Sequence, residues 1–267
     1  MTNLISQTFK DDKKKLVTFV TGGDPDLETS LKILKVIINN DIDLIEIGMP
    51  FSDPMADGPT IQLSSNRAIS KGISLEDIFY LASEAKKIKN DLPIILMGYY
   101  NLILYFGIKK FVKKCKENGV DGLIIVDLQP EEDEDLINEL NKNQIDLIRF
   151  ITPTTDEGRL KLILKNASGF LYFVSVMGIT GQKSADLNEL EKSVIFIKKH
   201  TNLPVVPGFG IKNSTDVNNI CKIADGAVVG SSIIKIIEEN LNDKQKMLSQ
   251  INKFSKDLKN GTKVWIG

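Results

Sequence analysis

Eight short apolar runs, each followed by a helical segment, recur along the chain, and this alternation narrows the possible folds more than any other feature. The runs span Leu16–Val20, Ile42–Ile47, Pro93–Met97, Gly122–Val126, Ile145–Ile151, Phe170–Val174, Leu203–Val206 and Gly226–Val229. They are nearly continuous in Val, Ile and Leu, as strands covered on both faces of a parallel sheet must be. After an opening helical segment, Asn3–Lys10, the helical stretches are Leu27–Asn39, Thr60–Ser70, Ser74–Lys89, one ending at Glu117, Glu131–Asn141, Asp156–Lys165 and one ending at Lys199. Three more follow, one running to Lys222 with Ser214 as its N-cap, one opening at Gly230-Ser231-Ser232 and one over Gln245–Leu258. Strands alternating with helices give right-handed crossovers, and eight such units close into a (β/α)8 TIM barrel with extra helices. The 267 residues suit that fold. An open doubly wound sheet is the rival, but the Gly-x-Gly-x-x-Gly fingerprint is missing after the first run. Nothing resembling a linker divides residues 1–267, so one domain is expected.

Composition excludes several classes of function. The 34 basic and 35 acidic residues nearly cancel, so there is no excess charge for nucleic acid or an anionic membrane. Cys115 and Cys221 have neither metal-binding nor redox spacing, which fits a reducing cytoplasm. Neither a signal peptide nor an apolar run of ~18 residues is present, so a cytoplasmic location is expected. Lys13-Lys14-Lys15 reads as a solvated approach to the first strand, and the single His200 as a surface residue.

The second apolar run contains a residue that a barrel strand does not need. Ile42, Leu44 and Glu46 share one face by two-residue alternation. If that face points inward, Glu46 tops a packed core, and partial desolvation raises its pKa toward the range useful for proton transfer. Asp57 lies eleven positions on, in a loop broken by Gly48 and Pro50 that can fold back over the same mouth. Two carboxyls in unlike surroundings form an acid–base pair. The plainer alternatives are a strand-end carboxylate paired with a lysine for Glu46 and an Asp-Gly-Pro turn at Asp57.

Glycines mark three consecutive strand ends: Gly178 and Gly181, then Gly208 and Gly210, then Gly230-Ser231. In barrels of this kind, phosphate binds between the loops after strands seven and eight and the start of a short helix. Glycine lets backbone amides approach an anion, and a helix N-terminus adds unpaired N–H groups and a positive dipole end. A phosphorylated substrate is therefore expected, with no arginine needed to hold it.

The string Glu46-Ile-Gly-Met-Pro-Phe-Ser-Asp-Pro-Met-Ala-Asp57-Gly-Pro-Thr-Ile-Gln closely resembles the signature of the tryptophan synthase alpha chain family. The resemblance extends over essentially the whole length, through Phe19-Val-Thr-Gly-Gly-Asp-Pro, Tyr99–Asn101, Asp127, Gly178-Ile-Thr-Gly181, Gly208-Phe-Gly210 and Gly230-Ser231. It implies retro-aldol cleavage of indole-3-glycerol phosphate to indole and glyceraldehyde 3-phosphate, the last stage of L-tryptophan biosynthesis, without metal or organic cofactor. It also implies that Glu46 donates and accepts the proton near indole C3 and that Asp57 binds the ring N–H. The phosphate then falls to Gly181, Gly210, Gly230 and Ser231, and the indole pocket to Phe19, Tyr99, Tyr172 and Phe209. Read without the resemblance, Phe19, Tyr172 and Phe209 are equally barrel core. The family's partner is a pyridoxal-phosphate beta chain in an alpha2-beta2 assembly. One departure from the family pattern is Val176-Met177, where a basic and a small polar residue are usual. Ser175–Asp186 is long for a strand-to-helix connection, where ~2–6 residues is usual, and is expected to act as a lid in which Thr180 helps hold Asp57. Two rival functions are a metal-dependent sugar-phosphate epimerase or isomerase, and a non-catalytic barrel that only activates a beta chain.

Overall fold

The computed structural model describes residues 3–174, 183–208 and 210–263, and for residues 183–186 the backbone alone. Eight parallel strands close a barrel in sequence order. They are β1 (Lys15–Thr21), β2 (Leu44–Gly48), β3 (Ile94–Gly98), β4 (Gly122–Ile125), β5 (Asp146–Ile151), β6 (Leu171–Val174), β7 (Val205–Gly208) and β8 (Gly226–Val229). The barrel forms because both faces of each strand are apolar. Leu16, Val20, Ile45 and Ile47 pack outward against the helices. Val17, Leu44, Ile95, Ile124, Ile148, Val206 and Val228 fill the interior. Interior side chains of alternate strands stack in layers, so each strand's next inward residue lies one layer nearer the carboxyl-end mouth. In β2 that residue is Glu46.

The opposite end of the barrel is closed by the short helix Leu4–Thr8, whose Ile5 is fully buried with the interior cluster. Asn3 caps this helix and ties it down by donating to the Asp121 and Gln144 carbonyls at 3.2 and 2.9 Å. A further bracing pattern runs around this floor. Just before each even-numbered strand, a side-chain oxygen accepts from the backbone N–H at or near the start of the strand before it. Asp43 accepts from Leu16 at 2.8 Å, Asp121 from Ile94 at 2.9 Å, Ser168 from Leu147 at 2.9 Å and Asp225 from Val205 at 2.6 Å. Each of the three carboxylates also pairs with a lysine: Lys259, Lys86 and Lys198 at 2.5, 2.8 and 2.6 Å. A hydrogen bond to a charged group contributes about 1.5–3 kcal/mol. Asp121→Ala, which orphans the Ile94 amide and takes the charged partner from Lys86, leaving it the Leu92 carbonyl, is expected to lower unfolding stability by about 2–3 kcal/mol. Asp121→Asn, whose amide oxygen still accepts, should lose less; urea titration of the two variants checks the order.

The fold corrects several boundaries. Lys15 is not a solvated approach residue but the first residue of β1, 4% exposed and paired with Asp11. Asn213, not Ser214, is the N-cap, because its side chain accepts from Asp216 N at 3.0 Å while the Ser214 hydroxyl donates to Asp257 at 3.0 Å. The stretch ending at Glu117 is two helices, Tyr100–Phe106 and Ile108–Glu117, broken where Gly107 adopts φ +90°. The acidic helix starts at Glu134, after a 3-10 turn at Pro130–Glu132. Strand seven begins later than Leu203 and continues through Pro207, and the helix after β6 starts at Lys183 rather than beyond Asp186. His200 is half-buried at that helix's end, its Nδ1 2.9 Å from the Phe196 carbonyl and its ring against the Phe196 ring.

Candidate active site

A cavity of about 430 Å³ opens at the carboxyl end of the barrel, within the usual range for a small-molecule site. Its walls are the inward residues nearest the mouth: Phe19, Met97, Phe150, Tyr172 and Val228 from the strands, and Val126 just beyond β4. Asp57, Gly58 and Ile61 enter from the segment after β2, and Gly208, Gly210, Gly230 and Ser231 form the side at the carboxyl ends of β7 and β8.

Glu46 lies in register with Phe19 on β1 and Ile95 on β3. It is 0% exposed, and among the described residues neither carboxyl oxygen has a hydrogen-bond partner. Burial alone pushes its pKa up to about 8, so at neutral pH the side chain carries a proton that it has no neighbour to share with. A buried carboxyl with no partner costs stability, and proton donation to a bound molecule is the chemistry such a group is suited to.

Asp57 is held differently. Its backbone N–H donates to the Pro54 carbonyl at 3.0 Å, and Gln62 Nε2 donates to the Asp57 carbonyl at 2.8 Å. The Tyr99 hydroxyl donates to Asp57 Oδ2 at 3.1 Å and accepts from Ala56 N at 3.1 Å. Desolvation raises the Asp57 pKa above its ordinary value, and the Tyr99 hydrogen bond pulls it back. Burial, with the Asp57 charge adding, pushes the Tyr99 phenol up to about 12, so it remains a donor. The Tyr172 phenol is also raised, by burial first and then by the charges of Glu46 and Asp57, and its ring lines the cavity together with Asp57.

The glycine side is shaped by close approach. A Cβ on Gly208 would fall 2.6 Å from the Tyr172 ring, and one on Gly230 would fall 3.0 Å from Phe19. Among the described residues a Cβ on Gly210 would meet nothing within 4 Å, and Gly210 lines the cavity. Gly230 opens the helix Ser231–Glu239 with no side-chain cap, which leaves the first amides free for an anion.

The structure therefore gathers Phe19, Glu46, Asp57, Tyr172, Gly210, Gly230 and Ser231 at one mouth. Neither Glu46 nor Tyr99 lines the main cavity: Glu46 is fully buried beside Phe19, and Tyr99 borders a small adjoining pocket with Phe19, Asp57 and Met97, stacked on Phe51 with ring centroids 5.0 Å apart, its hydroxyl on Asp57. Thr180, Gly181 and Phe209, with the Val176-Met177 departure and most of the expected lid, lie outside the described residues. Met97, Val126, Phe150 and Ile61 are lining residues that sequence reasoning missed. The first and third follow from extending two-residue alternation from interior positions Ile95 and Ile148.

A family model described as tryptophan synthase alpha chain matches residues 5–263. The chain belongs to the tryptophan synthase alpha chain family. It is 44% identical over 261 residues to the tryptophan synthase alpha chain of Petrotoga mobilis, covering 98% of this chain and 99% of that one. It is 43% identical over 255 residues to that of Geotalea uraniireducens, covering 96% and 94%. The crystal structure of tryptophan synthase subunit alpha from Legionella pneumophila str. Paris shares the barrel with a TM-score of 0.91 at 32% identity, covering 98% of this chain and 99% of that one. The alpha subunit of this family is a lyase that cleaves indole-3-glycerol phosphate in tryptophan biosynthesis, and membership implies a beta-chain partner. Among the described residues, no helix is long and apolar enough to cross a membrane.

Proposed function

We propose that Glu46 and Asp57 are the acid–base pair with which this chain cleaves indole-3-glycerol phosphate to indole and glyceraldehyde 3-phosphate. The observation that carries the assignment is the Glu46 carboxyl, buried, unpartnered and protonated at neutral pH beneath an apolar cavity that Asp57 enters from above. Glu46 gives its proton to indole C3, which moves positive charge onto the ring nitrogen. Asp57 accepts the ring N–H and balances that charge. The side-chain hydroxyl then loses its proton to the Glu46 carboxylate and becomes the aldehyde carbonyl. The electrons of the broken carbon–carbon bond restore the indole ring. Protons balance, and Glu46 ends the cycle as it began.

Phe19, Met97, Phe150 and Tyr172 supply the faces and edges for the indole ring, with Phe209 assigned beside them. Gly210, Gly230 and Ser231, with Gly181, supply amides for the phosphate, so binding energy from a remote group positions the reacting bond. Exposed apolar side chains at the same end, Met55 (83%), Leu104 (52%) and Tyr105 (95%), suit this rim for docking the beta chain in an alpha2-beta2 assembly. The assembly's expected location is the cytoplasm.

Two measurements test this reading. Turnover of indole-3-glycerol phosphate should persist undiminished in excess chelator; loss of activity there would favour the metal-dependent epimerase class. Gly210→Asp places a carboxylate at the cavity wall with no clash among the described residues. It should raise KM by roughly 10–100-fold, the cost of one like-charge contact of a few kcal/mol, while the melting temperature hardly moves. Gly230→Asp is a poorer probe, because its Cβ would crowd Phe19. An unchanged KM in Gly210→Asp would move the phosphate elsewhere.

A further inference from the structure

The turn that ends β1 carries a carboxylate that the chemistry above does not use. Asp24 is 1% exposed, and burial pushes its pKa up against the pull of Arg67. Arg67 meets it with a planar fork: Nε donates to Oδ1 at 2.7 Å and Nη2 to Oδ2 at 2.8 Å. The remaining nitrogen, Nη1, lies 4.0 Å from Glu238 Oε1. Three segments thus meet at one guanidinium: the turn after β1, the helix Pro59–Ser70 and the helix Ser231–Glu239.

Each of these segments also reaches the active site. In the turn, the Gly22 N–H donates to the Gly48 carbonyl at 2.9 Å, two residues past Glu46. The Pro59–Ser70 helix begins two residues after Asp57. The Ser231–Glu239 helix opens on Gly230 and Ser231. A buried hydroxyl pair, Thr21 Oγ1 with Ser64 Oγ at 2.6 Å, fastens the Pro59–Ser70 helix to β1 nearer the cavity.

We propose that Arg67 is a positioning residue: its fork on Asp24 and its approach to Glu238 fix the Pro59–Ser70 helix, and through it the Asp57 carboxylate, against Glu46 and the phosphate cradle. The helix is the lever. Arg67 lies eight residues along it from Pro59, or ~12 Å at 1.5 Å per residue, so loss of the anchor shifts the end that carries Asp57. Tyr99 grips Asp57 from the other side but does not hold the helix. Lysine keeps the charge but offers one point of contact in place of the two-pronged fork. A merely structural ion pair would change stability alone; this one also changes turnover through Asp57. The inference rests on the assignment of Asp57 to the reaction.

The test is a double-mutant cycle on the full chain with its beta chain present, measuring kcat, KM and melting temperature. Arg67→Lys should lower kcat about tenfold, as a sub-ångström misplacement of a reacting group does, while KM stays within about twofold. In an Asp57→Asn background that kcat loss should vanish while the loss in melting temperature remains. Glu238→Gln, at the exposed end of the network, should show the same pattern at about two- to threefold and serves if Arg67→Lys folds poorly. An unchanged kcat in both single variants, or equal kcat losses with and without the Asp57 carboxylate, would overturn the proposal. Full activity in Asp57→Asn alone would instead remove Asp57 from the reaction, and the Arg67 role with it.

Discussion

Glu46→Gln is expected to leave the barrel folded and to lower indole formation by about 10²–10⁴-fold, the usual cost of losing one general acid–base group. The amide fills the same space and likewise meets no partner, so the cavity keeps its shape, but it has no proton to transfer. The same substitution has a second consequence, on stability. The folded-state pKa is raised from an ordinary 4.5 to about 8. Between those values the folded protein holds a proton that the unfolded chain has released. The associated stability is therefore fully present below about pH 4.5 and is lost as pH rises through about 8, a span worth on the order of 5 kcal/mol. Glutamine removes that dependence. Urea titrations at pH 5 and pH 9 should find the variant comparable to the parent at the lower pH and more stable at the higher one. Activity of the parent should fall above about pH 8, where the donor is ionised. A variant that keeps a tenth of the activity, or shows no stability gain at pH 9, would remove Glu46 from the donor role.

The barrel was legible because one physical requirement repeats eight times. A parallel strand buried on both faces must be apolar throughout, and that signal survives uncertainty at its ends. The misplaced boundaries depend on partners or backbone conformations that the local sequence does not announce. Ser214 and Asn213 are both good caps, and the choice depends on Asp257, 43 positions away, which holds the serine. Lys15 looks solvated beside Lys13 and Lys14, yet enters the strand because Asp11 accompanies it. The floor of side-chain to backbone clamps at Asp43, Asp121, Ser168 and Asp225 was not foreseen. A single aspartate before a strand carries no local mark of the amide it will meet across the sheet.

The site divides in the same way. Glu46 stood out because a carboxylate in an apolar strand violates the local rule; alternation put it on one face with Leu44, and the closed barrel decides that this face points inward. Asp57 could be placed near the mouth but not held there, since Tyr99, its hydrogen-bond donor, comes from the end of a different strand. Tyr99 was expected as an aromatic wall beside an indole ring; its hydroxyl also has a polar task on Asp57, of which the sequence holds no sign. The steric reason for Gly208, the Tyr172 ring 2.6 Å from where a Cβ would sit, likewise needs two strands in register.

Asp57→Asn should cost about 10²–10⁴-fold in turnover, since the amide cannot balance the positive charge that C3 protonation places on the ring nitrogen. Its fold is supported from outside the carboxylate, by the Asp57 N–H on Pro54 and by Gln62 on the Asp57 carbonyl, so stability should change little. Tyr99→Phe separates the charge from its support. The Tyr99 hydroxyl stabilises the ionised carboxylate, and burial opposes it. Without that donor, the Asp57 pKa rises further, and ionised Asp57 is lost at a higher pH as the solution is acidified. The acid limb of kcat/KM should therefore shift to higher pH in Tyr99→Phe, while the alkaline limb set by Glu46 stays where it is. In Asp57→Asn the acid limb should disappear. A profile for Tyr99→Phe that overlays the parent's would mean that the acid limb belongs to another group and that Asp57 acts, if at all, without Tyr99.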